Sequence, residues 1–174
     1  MSKIEVWAKE AFDTTSLSHA YLVFTDNTST PSKNFIIAGH AVYDNTQPLL
    51  LRLYIDQRGD NLLESSQEWQ AHSSGKAGGR ELDLGGRSAA HVWTLMKEVA
   101  RQIDEAKLAY IPADSNPLYQ DPDRPQNSNS VISSILNAIG IDFYMNLPPF
   151  DGNVRVTLET KVPTNKYAGV WHIM

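Results

Sequence analysis

The chain has 174 residues, of which 41% are hydrophobic and 20% charged, and its formal net charge is −5. This length suits one domain with a full-sized core, and we predict a single domain over residues 1–174. The acidic balance, with no Lys/Arg cluster, argues against a nucleic-acid partner. No apolar run reaches membrane-spanning length and no secretory signal is visible. We therefore expect a soluble protein, either cytoplasmic or exported by a signal-independent route.

The sequence contains no cysteine, which excludes disulfides, thiolate metal ligands and a thiol nucleophile in the chain as it stands. A serine that replaces a nucleophilic cysteine would leave no trace in the composition. No pair among the five histidines has the spacing of a zinc site. We therefore predict neither a metal nor any other cofactor.

Three segments in the first third of the chain are rich in β-forming residues and predict strands at 19–25, 35–43 and 48–56. Turn-forming residues fill the segment 25–34 between the first two. The short links predict an antiparallel meander. The next stretch, 58–70, fits no single element.

A glycine-rich stretch at 72–86 predicts a flexible loop. Beyond it, apolar residues recur at steps of three and four, which is typical of one face of an amphipathic helix. We predict a helix over 88–109, with Ser88 as its cap. The residues of its apolar face are Val92, Met96, Val99, Ile103 and Ala106.

Four prolines make the segment 111–126 an irregular loop. A second helix is predicted at 127–139, and closing strands at 153–161 and 169–174. Together these elements predict an α+β fold in which an antiparallel sheet packs against helices. The loop 111–126 leads directly into the second helix, so we expect it to border any site there.

Four small polar residues, "NSNS" at 127–130, open the second helix. Sorting positions by 100° per residue puts Ser128 on the side of the apolar residues and Ser130 on the opposite side, facing water. An inward serine at a helix start lies among unpaired backbone N–H groups, which can stabilise an oxyanion. The alternative is that Ser128 or Asn127 only caps the helix.

Two of the histidines are predicted to meet. If Thr25 pairs with Asn34 across the turn, paired residue numbers sum to 59, and His19 then faces His40 on the neighbouring strand. A slip of one residue would separate them. A histidine near Ser128 would favour a nucleophile over a simple cap, because a serine hydroxyl needs a base in hydrogen-bond contact to react.

Three segments resemble the circularly permuted papain-like hydrolases, which include the NlpC/P60 and lecithin:retinol acyltransferase groups. They are "HAYLVF", "FIIAGH" and, far downstream, "NSNSV". The resemblance implies a papain-like core with His19 as base and His40 as the orienting residue, for which Asp56 is the reserve candidate. It implies Ser128 in the place of the family's nucleophilic cysteine.

The same resemblance implies that Asn127 and Asn129 lie in the substrate and oxyanion region, and that Val131 stands where the family prefers an aromatic residue. The implied activity is hydrolysis or acyl transfer on an amide or ester of a peptide, peptidoglycan or lipid. A bacterial cell-wall or toxin-type role is implied too, with any inhibitor or immunity protein left open. The alternatives are a cysteine replaced by serine and a degenerate, non-catalytic binding module with the same fold.

Overall fold

The structure is a computed structural model that describes residues 1–10, 18–42, 50–55, 67–75, 77–108, 110 and 127–148. Over these residues the chain folds as α+β, with a five-stranded antiparallel sheet and three α-helices. The predicted fold class is therefore confirmed at this level. Asp56, the loop 111–126 and the predicted strands 153–161 and 169–174 lie outside the described residues.

The strand order in the sheet is β4-β3-β2-β1-β5. The strands are β1 (Lys3–Glu10), β2 (Ser18–Asp26), β3 (Lys33–Val42), β4 (Leu50–Ile55) and β5 (Ala77–Glu81). The three predicted strands are confirmed as the meander β2-β3-β4. Strand β1 was not predicted, although its buried residues Ile4, Val6 and Ala8 recur at the period of two that marks a strand.

Strand β5 corrects the prediction of a flexible loop at 72–86. Its sequence is AGGRE, and Gly79 pairs with Trp7 of β1. The indole of Trp7 lies over Gly79 so closely that a Cβ at this position would overlap it. The glycine is therefore a place where a large neighbouring side chain crosses the strand, which sequence patterns read as a loop.

The helices are α1 (Gln67–Ser73), α2 (Ala89–Glu105) and α3 (Ser128–Ala138). Both predicted helices are confirmed, although α2 ends earlier than expected and the Ser88 side chain makes no capping hydrogen bond. Helices α2 and α3 pack on one face of the sheet, which we call the helix face. The main core lies there and includes Leu22, Ile37, Leu51, Val92, Met96, Ile132 and Ile135. Across the described part of the chain, no helix has the length and apolar character needed to cross a membrane.

The opposite face of the sheet, which we call the second face, has its own smaller apolar cluster. Tyr21, Val23, Ile36 and Ala38 form it, and Trp69 of α1 packs against it. The register between β2 and β3 is the predicted one, because Thr25 pairs with Asn34 and Tyr21 with Ala38. If this register continues, the next pair on the same face, two positions further along, is His19 and His40.

Candidate functional site

His19 and His40 meet on the second face, as the predicted register requires. Their ring centroids lie 5.4 Å apart. Glu68 of α1 joins them, with its Oε1 3.1 Å from His19 Nε2 and 3.6 Å from His40 Nε2. We call these three residues the His–His–Glu cluster. One carboxylate oxygen thus lies close to both imidazoles.

Aromatic packing around α1 explains why Glu68 points at the histidines. A helix of seven residues is not stable by itself, so tertiary contacts must hold it. Trp69 stacks on His72 with ring centroids 4.9 Å apart, and His72 meets Trp7 of β1 at 4.0 Å. With α1 fixed in this way, the Glu68 side chain turns into the sheet, and the residue is only 2% exposed.

A buried lysine completes the charge balance around Glu68. Lys9 Nζ lies 3.4 Å from Glu68 Oε1 and donates a hydrogen bond of 3.4 Å to Gln67 Oε1. Burial alone would raise the pKa of Glu68, but His19, His40 and Lys9 together lower it to about 2. The carboxylate is therefore ionised at neutral pH.

The two histidines differ in their access to solvent. The His40 side chain is 35% exposed and that of His19 only 10%. Burial lowers the pKa of His40, and the charges of His19 and Lys9 act in the same direction, while Glu68 opposes them. His40 is thus the histidine of this cluster that is more accessible to solvent. Beneath His19, burial raises the pKa of Tyr21, which remains a phenol.

Among the described residues, two buried atoms of the cluster have no hydrogen-bond partner of acceptable geometry. His19 Nε2 and Glu68 Oε1 are 3.1 Å apart, yet neither forms a hydrogen bond of acceptable geometry. The ligand-type atoms of His19, His40 and Glu68 all lie within 4.8 Å of one another. Two imidazoles and a carboxylate are also a common ligand set for divalent transition metals. The prediction of no metal considered histidine spacing alone and therefore did not include Glu68.

The start of α3 is capped by Asn127, which supports the capping interpretation of the "NSNS" segment. Asn127 Oδ1 accepts hydrogen bonds from the backbone N–H groups of Asn129 at 3.1 Å and Ser130 at 3.2 Å. The side chain of Asn129 in turn accepts a hydrogen bond of 2.8 Å from the backbone N–H of Ala20. This bond ties the helix start to β2, next to His19.

Ser128 lies on the helix face, with its Cα against β3. A Cβ added to Gly39 would be 3.1 Å from Ser128 Cα. Successive residues of a strand point to opposite faces, so His40, the neighbour of Gly39, projects from the second face. No hydrogen bond of the described residues joins Ser128 to His19 or His40. Ser128 and His40 thus lie on opposite faces of the sheet, and the predicted contact between nucleophile and base is not among these hydrogen bonds.

The partner of Ser128 is Tyr110. Both the hydroxyl and the backbone N–H of Ser128 donate hydrogen bonds to the phenol oxygen of Tyr110, whose pKa is nevertheless raised by burial. The first N–H groups of α3 thus already have acceptors, in Tyr110 and Asn127. The oxyanion role expected for Asn127 and Asn129 would require these bonds to open.

The predicted orientation of Ser128 is correct, but that of Ser130 is wrong. Ser130 is only 2% exposed, although the helical pattern placed it in water. Its hydroxyl donates to Asn127 Oδ1 at 3.3 Å. Ser133, one turn further on the same side, is buried too, so the early turns of α3 are covered all round.

Glu68 is the functional candidate that sequence reasoning missed. It lies in the stretch that fitted no element, and only its position in α1 brings it to the histidines. No family model, no curated protein and no solved structure matches this chain. The papain-like resemblance therefore still depends on its three short segments.

Proposed function

We propose that the protein is a hydrolase of amides or esters whose acid–base centre is the His–His–Glu cluster. The observation that carries the proposal is the ionised carboxylate of Glu68, 3.1 Å and 3.6 Å from the Nε2 atoms of two imidazoles. A carboxylate in this position orients a neutral imidazole and stabilises the imidazolium that forms when it accepts a proton. The amide or ester substrate is what the resemblance to papain-like hydrolases implies.

His40 is the general base in this proposal, because it is the more exposed histidine of the cluster. With Nε2 turned to Glu68, the ring proton belongs on Nε2, and Nδ1 accepts a proton from water. The hydroxide so formed adds to the substrate carbonyl, and the imidazolium then returns the proton to the leaving amine or alcohol. His19 is a positioning residue, so the roles implied by the resemblance are exchanged.

Water is the proposed nucleophile, because the Ser128 hydroxyl is bonded to Tyr110 on the helix face. Ser128 is the second candidate. One observation favours it: the start of α3 contacts Ala20 and Gly39, the strand residues adjacent to the two histidines. For Ser128 to act as the nucleophile, its hydroxyl would have to break its hydrogen bond to Tyr110. A histidine side chain would also have to contact it from the opposite face of the sheet.

One set of variants separates these possibilities, with p-nitrophenyl esters and peptide anilides as substrates. His40→Gln should lower kcat/KM by roughly 10²–10⁴-fold, which is the usual contribution of a general base. Ser128→Ala should keep the wild-type rate. The exposed His91 of α2 provides the matched control, His91→Gln.

A full rate in His40→Gln would reject the His–His–Glu cluster as the catalytic centre. Loss of activity in Ser128→Ala, with a folded protein by circular dichroism, would identify the serine as the nucleophile instead. If the wild type accelerates none of these reactions, the non-catalytic binding module is favoured.

A further inference from the structure

The geometry points to a divalent transition-metal site of the zinc type at the His–His–Glu cluster, with His19, His40 and Glu68 as its three protein ligands. The inference rests on the proposed function for its location only, because an ion bound to both Nε2 atoms would move the ring proton of His40 to Nδ1 and make His40 a ligand in place of the general base. Two histidines and one carboxylate, with one position left for water, are a recurrent ligand set of catalytic zinc. The same set also suits other first-row metals.

The spacing of the three ligand atoms fits such an ion. Bonds of about 2.0–2.1 Å in a tetrahedral arrangement place neighbouring ligand atoms roughly 3.3 Å apart. Glu68 Oε1 lies 3.1 Å from one Nε2 and 3.6 Å from the other, on either side of that value. The ligand-type atoms of the three residues all lie within 4.8 Å of one another, so the remaining separation has to shorten towards the tetrahedral value when an ion binds.

The hydrogen bonding of the cluster is an independent observation that favours a ligand. Among the described residues, His19 Nε2 and Glu68 Oε1 are buried and make no hydrogen bond of acceptable geometry, although they lie 3.1 Å apart and Lys9 Nζ is 3.4 Å from the same oxygen. Buried polar atoms usually have well-formed hydrogen bonds. An ion between the two atoms would accept a lone pair from each of them.

Lys9 already pairs with the Glu68 carboxylate and would compete with a metal ion for it. Its Nζ lies 3.4 Å from the same Glu68 Oε1 that would bind the ion. A divalent cation and an ammonium group on one oxygen repel each other. Lys9 also bonds Gln67, so it has a second acceptor to which it can withdraw. Removing the Lys9 charge should therefore strengthen metal binding, which a merely structural ion-pair cluster would not do.

The experiment titrates untagged chain, treated with EDTA and dialysed, with Zn²⁺ by calorimetry and with Co²⁺ by visible absorption. We expect one ion per chain, with the strong visible bands of tetrahedral Co²⁺. His40→Ala should weaken binding on the order of 100-fold or more, since even the loss of outer-shell partners costs 10–100-fold. Lys9→Met should strengthen it by roughly tenfold. The controls His91→Ala and Lys3→Met should leave it unchanged.

Two results would overturn the inference of a metal site. It is wrong if neither the wild type nor Lys9→Met takes up Zn²⁺, or if His91→Ala removes as much binding as His40→Ala. A chain that binds Zn²⁺ at this cluster and hydrolyses nothing supports the metal site and refutes only the proposed function. A chain that hydrolyses esters in EDTA and binds no metal refutes only the metal site.

Discussion

Replacing Glu68 by glutamine tests the charge balance of the His–His–Glu cluster directly. The amide keeps the shape of the carboxylate but leaves the buried ammonium of Lys9 without its counter-ion. Removing one partner from a buried ion pair typically costs 3–5 kcal/mol. Lys9 retains its bond to Gln67, so we expect the lower end of that range, about 3 kcal/mol in the free energy of unfolding at pH 7.

The lowered pKa of Glu68 points in the same direction. Contacts with His19, His40 and Lys9 lower it from 4.5 to about 2 in the folded protein, so the ionised carboxylate stabilises the fold. Because the folded pKa is the lower one, this stability is fully present above the unfolded pKa and is lost as pH falls towards 2. In Glu68→Gln this acid-dependent part should be missing.

Urea denaturation at pH 7 and thermal melting measure the effect. For a domain of this size, about 3 kcal/mol lowers the melting temperature by roughly 6–12 °C. Glu98→Gln is the matched control: Glu98 pairs with Arg101 on the exposed side of α2, and such surface pairs contribute less than about 1 kcal/mol. Adding Lys9→Met to Glu68→Gln should restore about 1–2 kcal/mol, because the unpaired charge is then gone.

A Glu68→Gln protein within about 0.5 kcal/mol of the wild type, the range of ordinary surface substitutions, would refute the reasoning. So would a double variant no more stable than Glu68→Gln, because the loss could then not be attributed to Lys9.

Three further outcomes follow from the start of α3. Asn129→Ala should lower the free energy of unfolding by about 1–3 kcal/mol, because the buried N–H of Ala20 loses its acceptor; an unchanged urea midpoint would contradict this. Gly39→Ala should cost about 1–3 kcal/mol by pushing α3 off β3, and a wild-type melting temperature would show that the contact is looser than described. Ser128→Cys should react with iodoacetamide at pH 6 no faster than a free thiol peptide, because its polar neighbour is Tyr110. Fast labelling that disappears when His19→Ala is added would instead show that residue 128 lies beside His19 and is the nucleophile position.

Local patterns were enough for much of this fold. The register of β2 and β3 followed from turn-forming residues between two β-rich segments, and this alone placed His19 opposite His40. The helical period located α2 and α3, and the small polar residues at 127–130 marked a helix start. Each of these features depends on residues that are close together in the chain. The sequence pattern therefore predicts them without knowledge of the tertiary structure.

Only the tertiary structure decided which groups share a site. Glu68 reaches the histidines because α1 is held on the second face by aromatic packing, and a seven-residue helix carries too weak a signal of its own. Strand β5 was predicted as a loop because of its glycines, whereas in the fold it pairs with β1 and the Trp7 indole lies over Gly79. The separation of Ser128 from the histidines depends on which face of the sheet receives α3. Side chains alternate between the two faces, so the sequence shows that Gly39 and His40 point apart, but only the packing of distant elements determines what each of them meets.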